Sequence, residues 1–209
     1  ADAVKNPLST SGAKITMPTY SISEKTKNTI RSMFNIVGYA QAKLHKRLQF
    51  RTQVSFFRFD RNKYQYEPST LPSREDGLGG KAAREYYTEN KFTWDNTLTF
   101  TKTFAKRHGF KAMVGSAYYR FTNGAFSLSG QGYMVDDVKW NNMNAVQDKN
   151  TYTAATSSQN KQTLSFFARV NYDYAKRYYL TLTARADGAS NFAANNKWGF
   201  FPSAALRWN

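Results

Sequence analysis

Five charged or amide side chains recur at alternate positions near the end of the chain. They are Arg169, Asn171, Asp173, Arg185 and Asp187. Alternate residues of a β-strand lie on the same face of a sheet, so this spacing would gather two guanidinium groups and two carboxylates on one surface. Such a surface could contact a ligand, or it could form a ladder of salt bridges and hydrogen bonds that makes a polar wall. The ladder is the simpler interpretation, and the sequence leaves both open.

Catalytic chemistry is not predicted. The chain has no cysteine, which excludes a thiol nucleophile, a disulfide framework and a zinc–thiolate site. His45 and His108 lie in short basic segments without a Ser or carboxylate pattern nearby, and we expect both in turns. Asp136, Asp137 and Asp148 lack the regular ligand spacing of a calcium loop. We therefore predict no enzyme activity, no metal site and no cofactor.

The residues that alternate with these polar side chains indicate that the segments carrying them are β-strands. Even positions are mostly apolar or aromatic in residues 164–174, 178–186 and 198–208. Segments of about ten residues with this alternation, rich in aromatic side chains, are typical of transmembrane β-barrels. The side chains that should contact lipid are Leu164, Phe166, Val170, Leu180 and Leu182. Arg169 and Arg185 should then point inward.

The same pattern recurs along the chain and predicts about seven antiparallel strands, an all-β fold. The predicted strands cover residues 32–44, 48–60, 91–105, 110–121, 164–174, 178–187 and 198–208. Tight basic turns near residues 46, 107 and 176 alternate with long loops at 61–90, 122–160 and 188–196. Short turns on one side and long loops on the other are typical of outer-membrane barrels. Residues 1–30 should be a loop, with a short strand near residues 15–20.

Aromatic side chains should mark the membrane surfaces, where amphipathic rings favour the headgroup level. We predict this role for Trp94, Tyr172, Tyr174, Tyr178, Tyr179, Trp198 and Trp208. Tyr133 and Trp140 belong to the predicted long loop and are candidates for contact with a substrate or a partner.

The net charge of +16 in 209 residues also limits the class of protein. Lys and Arg are spread along the chain, often in turns or at strand ends, whereas a nucleic-acid-binding tail is normally one block. Cations at strand ends could meet lipid phosphates. No apolar run approaches the roughly 18 residues of a membrane helix, which excludes a helical membrane protein.

Several stretches resemble a signature from late in the barrel of one family, the SusC/RagA-type TonB-dependent transporters of the Bacteroidetes outer membrane. They form a nearly contiguous motif, and two further stretches match in the same order. The motif stretches are Phe166–Tyr174, Arg177–Leu180, Arg185–Gly188 and Asn195–Ser203, and the two others are Trp94–Phe100 and Asn6–Leu8.

The resemblance implies a large plugged barrel of 22 strands, of which this chain would supply about a third. Residues 1–209 would be one partial transmembrane β-barrel domain, with the plug, the TonB box and the closing strand elsewhere. Such transporters import glycans or peptides with energy from TonB, together with a SusD-like surface lipoprotein. The resemblance therefore implies a Gram-negative, Bacteroidetes-like outer membrane, contact with its lipid, and a lumen lined by the five polar residues, which could also touch the plug.

Two alternatives stay open on the sequence alone. A soluble, basic, aromatic-rich β-protein that binds nucleic acid would explain the charge and the aromatic content. A secreted β-sandwich, an adhesin or a hydrolase module, would bury the apolar faces inside. Neither explains the alternation of long loops and short turns, and we expect no nucleic-acid partner.

Overall fold

The computed structural model describes residues 25–71, 79–193 and 196–209, and it consists almost entirely of β-strands. The strands are β1 Thr26–His45, β2 Leu48–Glu67, β3 Gly80–Phe104, β4 His108–Tyr133, β5 Thr153–Tyr174, β6 Tyr178–Ala189 and β7 Trp198–Trp208. Between β4 and β5 lie three short 3-10 helices, η1 Asp136–Asn141, η2 Met143–Ala145 and η3 Lys149–Thr151. The strand predicted near residues 15–20 lies outside the described residues.

The seven strands form one sheet in which each strand pairs with its neighbours in the chain, in the order β1-β2-β3-β4-β5-β6-β7. β5 and β6 are antiparallel, with Val170 opposite Leu182 and Arg169 opposite Thr183. β6 and β7 continue the arrangement, with Leu180 opposite Leu206. The predicted all-β fold with seven antiparallel strands is therefore confirmed. β1 and β7 are the first and last strands of the sheet.

Most predicted strands were too short at the ends away from the tight turns. β2 extends to Glu67, β3 begins at Gly80, and β4 extends to Tyr133. The prediction of loops at 61–90 and 122–160 was therefore wrong in its bounds, because only residues 68–79 and 134–152 connect these strands. The extended segments lack simple alternation because their side chains are held by polar pairs as well as apolar contacts. An example is the 2.7 Å ion pair between Lys63 Nζ and Glu85 Oε1, on β2 and β3.

The three tight basic turns are confirmed, and two of them share one geometry. In Phe104–Arg107 the Arg107 N–H donates to the Phe104 carbonyl at 3.2 Å, and in Tyr174–Arg177 the Arg177 N–H donates to the Tyr174 carbonyl at 3.0 Å. The two central residues of each turn have positive φ: Ala105 45°, Lys106 58°, Ala175 53° and Lys176 54°. This is the type I′ turn, whose twist matches that of the strands it joins.

Two compact units divide the chain, and each is described by itself. The first comprises the described parts of residues 1–32, 60–88 and 124–157. It contains a small core in which Tyr66, Ala82, Tyr133 and Val146 are buried. The rings of Tyr66 and Tyr133 meet edge to face with centroids 5.7 Å apart. Side chains from residues 138–152 pack against this core, so the connection between β4 and β5 is folded onto the strands.

The second unit comprises residues 33–59, 89–123 and 158–209. Among its described residues, Ser165 alone is fully buried, with 2% of its surface exposed. Its large apolar side chains are instead spread over the surface of the sheet. In the described part of the chain, no helix has the length and apolar character needed to cross a membrane.

Candidate functional site

One face of β5, β6 and β7 is a continuous exposed apolar surface. The exposed fraction is 51% for Phe166, 44% for Leu182 and 84% for Leu206. Strand pairing brings such residues together, because Leu180 lies opposite both Tyr172 and Leu206. Soluble monomers rarely expose a contiguous apolar patch of this kind, and large ones mark contact with a membrane or a partner. This surface contradicts the β-sandwich alternative, in which these side chains would be buried.

Aromatic side chains occupy both ends of this apolar face. At the end near the tight turns, Tyr178 lies opposite Trp208, and its ring stacks on Tyr174 with centroids 6.5 Å apart. At the other end, Trp198 stacks on Phe166 at 6.1 Å. Trp198 and Trp208 are ten positions apart in β7, which is about 33 Å at the usual rise per residue. A strand tilted as in membrane barrels would span roughly 25 Å of bilayer over that length, which is the height of the apolar band in such barrels.

The other predicted surface aromatics differ from one another. Trp94 is half exposed and donates from Nε1 to the Thr52 hydroxyl at 3.0 Å. Tyr172 hydrogen-bonds through its hydroxyl to His108 Nδ1 at 2.7 Å. Tyr179 lies opposite Asp173 on the polar face, with Arg207 stacked 4.3 Å from its ring. The prediction that Tyr179 belongs with the membrane-surface aromatics was wrong, because its odd position points it away from them.

The opposite face carries the predicted polar residues, and Arg185 organises one end of it. Its Nε donates to both carboxylate oxygens of Asp187 at 2.8 Å, and its Nη2 donates to the Ser165 hydroxyl at 3.0 Å. The guanidinium also lies 5.8 Å from the Phe167 ring centroid. These contacts fix the arginine within the wall of the sheet. They match the salt-bridge ladder better than an open ligand site.

The remaining predicted polar residues lie further along the same face. Thr181 donates to the Asn171 side-chain oxygen at 3.0 Å across the β5–β6 pair. Arg169 lies opposite Thr183. The Asp173 carboxylate occupies the space beside Gly109, where a Cβ would collide with it. The structure therefore gathers all five predicted residues on one face and joins Arg185 directly to Asp187.

A second cluster of polar side chains, which the sequence did not reveal, holds the connection between β4 and β5. Asp136 accepts hydrogen bonds from the Tyr66 hydroxyl at 2.6 Å, from the Ser69 N–H at 3.1 Å and from the Ser69 hydroxyl at 3.0 Å. Partial burial alone would raise the pKa of the Asp136 carboxyl, but these donors outweigh it and lower that pKa. Burial, reinforced by the adjacent Asp136, raises the pKa of Tyr66.

Lys149 also stabilises this connection, through hydrogen bonds to other residues of the connection. Its ammonium donates to the Asn144 carbonyl at 2.6 Å, the Asn144 side-chain oxygen at 3.0 Å and the Val146 carbonyl at 2.8 Å. It also lies 5.5 Å from the Tyr152 ring centroid. An ammonium group can donate three hydrogen bonds, and here it satisfies carbonyl groups that a short loop would otherwise leave unpaired. These contacts therefore stabilise one conformation of the connection.

The two loop candidates have different positions. Tyr133 is the last residue of β4 and is 1% exposed, so its assignment to an exposed loop was wrong; its ring is covered by Tyr66 and by the loop itself. Trp140 lies in η1 and is partly buried, with its ring 5.8 Å from that of Tyr64. Trp140 keeps the accessible surface that contact with another molecule requires.

The first unit also contains a polar groove of about 300 Å³. Hydroxyl, amide and charged side chains from four strands line it, including Gln65, Lys81, Glu85, Ser127, Ser129 and Thr153. Sequence reasoning missed this groove, because its lining residues come from segments assigned to loops. Their i, i+2 spacing, as in Ser127 and Ser129, is the signal that was present. Within residues 25–71, 79–193 and 196–209, no group of three or more His, Asp or Glu side chains is placed to hold a metal.

Comparison with known proteins identifies the family. The sequence model described as "TonB dependent receptor-like, beta-barrel" matches residues 4–209. TonB-dependent receptor P3 of Formosa agariphila is 33% identical over the whole of this chain, which covers 19% of that protein. TonB-dependent receptor SusC of Bacteroides thetaiotaomicron is 36% identical over 47% of this chain and 9% of that protein. These relatives are receptors, not enzymes.

A solved structure has the same fold. The RagAB peptide importer in its open-open state superposes with a TM-score of 0.82 at 21% identity, over 89% of this chain and 20% of that one. The chain thus spans about a fifth of the length of P3 and of the matched importer chain. The family match covers nearly every residue and agrees with the seven antiparallel strands. The chain belongs to the β-barrel family of the TonB-dependent receptors, a family of the Gram-negative outer membrane.

Proposed function

We propose that this chain forms part of the wall of an outer-membrane transporter that imports oligomeric nutrients, glycans or peptides, together with a SusD-like surface lipoprotein and with energy from TonB. The names of two similar proteins support the proposal, SusC and the RagAB peptide importer. Because the chain spans about a fifth of such proteins, transport itself requires parts beyond this segment.

The observation that carries the proposal is the two-faced sheet of β5–β7. Its apolar face is exposed, with Phe200 67% and Leu206 84% accessible, whereas its polar face holds a hydrogen-bonded network around Arg185 and Ser165. Lipid would cover the first face, and a water-filled lumen would adjoin the second. An Arg that faced lipid at mid-depth would cost about 2–4 kcal/mol, so Arg169 and Arg185 belong on the lumen side.

In this proposal, the long connections face outward and the tight turns face the periplasm. Trp140 and the surface of the folded connection at 134–152 would contact the substrate or the lipoprotein, and buried Tyr133 would support that surface from below. The polar groove beside Ser127 and Ser129 would hydrogen-bond to a hydrophilic substrate. Hydroxyl and amide groups suit both sugar hydroxyls and peptide bonds, so the groove fits either substrate class.

The proposal is tested by isolating the full-length protein from the envelope of its host in mild detergent and identifying co-purifying proteins by mass. We expect the protein in the outer-membrane fraction, in a stable complex with a surface lipoprotein. Its partner would then indicate the substrate class. Recovery in the soluble fraction, alone or with nucleic acid, would contradict the transporter function.

The exposed apolar face of β5–β7 argues against a soluble protein that binds nucleic acid. Its cations would have to form a continuous surface with exposed stacking aromatics. The exposed aromatics Trp198 and Phe166 instead stack on each other within an apolar face. Arg185 donates hydrogen bonds to Asp187 and Ser165.

A further inference from the structure

The three tight turns of this chain carry the same pair of cations. The pairs are Lys46-Arg47, Lys106-Arg107 and Lys176-Arg177, and all six residues are exposed. They lie at the ends of hairpins β1–β2, β3–β4 and β5–β6, all within the second unit. The recurrence is a property of the turns, because the sequences of the strands that flank them differ.

The backbone geometry indicates that the lysines do not stabilise the turn conformation. Lys106 and Lys176 occupy the second central position of type I′ turns, with φ of 58° and 54°. Residues with a Cβ disfavour this conformation, and Asn-Gly or Asp-Gly normally fills these positions. Turn stability alone would therefore favour glycine. The presence of Lys at both positions, where the backbone favours glycine, points to a role for the charge.

The segments that form the turns carry no acidic residue, and the Asp173 carboxylate, which lies beside Gly109, is the negative charge placed near two of them. Residues 40–52, 97–114 and 174–181 contain neither Asp nor Glu. None of the ion pairs between described residues involves any of the six turn cations. The turns therefore form a basic surface that is complementary to an anionic partner.

Two aromatic rings hold the Arg177 guanidinium at the end of the apolar face. The Arg177 guanidinium lies 5.7 Å from the Tyr178 ring centroid and 5.6 Å from that of Trp208. Tyr and Trp rings at the end of an apolar face favour the depth of lipid headgroups. An arginine that stacks on such rings lies where lipid phosphates lie, and its planar group can bind a phosphate through two hydrogen bonds.

We propose that the three Lys-Arg turns, with the aromatics beside them, bind the phosphates of anionic phospholipid headgroups in the leaflet on the tight-turn side. This inference rests on the proposed membrane function and adds a lipid partner to it. Each turn presents an ammonium and a guanidinium group toward one headgroup layer. Clustered cations at a membrane surface are attracted to anionic lipids in this way. The surface also gives a role to part of the net charge of +16.

The test uses the full-length protein in nanodiscs or mild detergent, titrated with phosphatidylglycerol or with phosphatidylcholine and read by native mass spectrometry. We expect several-fold preferential retention of phosphatidylglycerol, which weakens as salt is raised. Replacing both cations of one turn, K176Q/R177Q, should lower that preference about twofold, and replacing all six should abolish it. The charge-conserving variant K46R/K106R/K176R should keep it.

A matched control replaces three exposed cations away from the tight turns, K27Q/R31Q/K197Q, and should leave the preference unchanged. Equal retention of both lipids by the wild type, or an equal loss in this control, would overturn the inference. If the six-site variant fails to insert, K176Q/R177Q alone decides the question. A protein that resides in the outer membrane but lacks the preference would overturn only the lipid site, whereas a protein found outside the membrane would overturn the transporter function as well.

Discussion

At the scale of single residues, the connection between β4 and β5 depends on a few polar groups that replace a large core. Tyr66 is 1% exposed, and its hydroxyl donates to Asp136 at 2.6 Å. Removing the acceptor would leave a buried hydroxyl unpaired, which typically costs about 1–3 kcal/mol. The shape of the connection, and any surface it presents to a substrate or partner, therefore depends on this carboxylate as well as on Lys149.

We predict that D136A opens this connection while the barrel stays folded. Hydrogen exchange should rise in residues 134–152, because the donors at Tyr66 and Ser69 lose their common acceptor. The neighbouring D137A is the matched control, since Asp137 is exposed and should leave exchange unchanged. Equal exchange in D136A and the wild type would show that Asp136 does not hold the connection.

The same carboxylate should make the connection sensitive to acid. Because the folded state lowers the pKa of Asp136 below its usual 3.8, the ionised group stabilises the fold above about that pH. That contribution is lost as the pH falls through the lowered folded pKa. After correction for intrinsic exchange rates, hydrogen exchange in residues 134–152 should therefore rise at acidic pH in the wild type. D136N lacks the titrating group and should show no such step; a step of equal size in D136N would contradict the assignment.

At the scale of elements, close contact between neighbouring strands depends on the absence of a side chain at Gly115 in β4. A Cβ at this position would come within 2.5 Å of the Phe167 ring and 2.6 Å of the Asn96 carbonyl oxygen. The backbone oxygen cannot move without disturbing the strand pairing. Glycine here is a requirement of packing between β3, β4 and β5, and not of a turn.

We predict that G115A destabilises the sheet by about 1–3 kcal/mol, the usual cost of overpacking. Thermal unfolding of the full-length protein in detergent should show a lower Tm. G38A in β1 is the control, because a Cβ at Gly38 would meet no atom within 4 Å. A Tm for G115A as high as that of G38A would contradict the close packing around Phe167.

Strand type and order could be predicted from the sequence wherever one face of the sheet is apolar and exposed, because alternation is strict there. The apolar even positions predicted the ends of β6 and β7 to within two residues of the observed ends. Alternation does not predict the segment Gly80–Glu89 of β3, where polar and apolar residues mix on both faces. The polar face around Arg185 was predicted from spacing, but its bond to Ser165 was not, because a small hydroxyl has no pattern of its own. Asp136 and Tyr66 are 70 positions apart, and no local signal joins them.

For the whole molecule, we propose that this sheet separates lipid from water. The apolar face of β6 includes Leu182, and the next residue, Thr183, lies opposite Arg169 and Ser203 on the polar face. A barrel requires this contrast between adjacent residues, since lumen-facing and lipid-facing positions alternate along every strand. A soluble sheet that is packed on one face alternates in the same way, but protein and not lipid covers its apolar side.

The most direct measurement is therefore single-cysteine accessibility at these two neighbours. The segment contains no cysteine, so L182C and T183C in the full-length protein, with any other cysteine replaced, each give one labelling site. In outer-membrane vesicles, a water-soluble maleimide should label T183C, whereas only a lipid-soluble reagent should reach L182C. Labelling of L182C by the water-soluble reagent, with T183C protected, would contradict the account that this sheet is the wall of a membrane barrel.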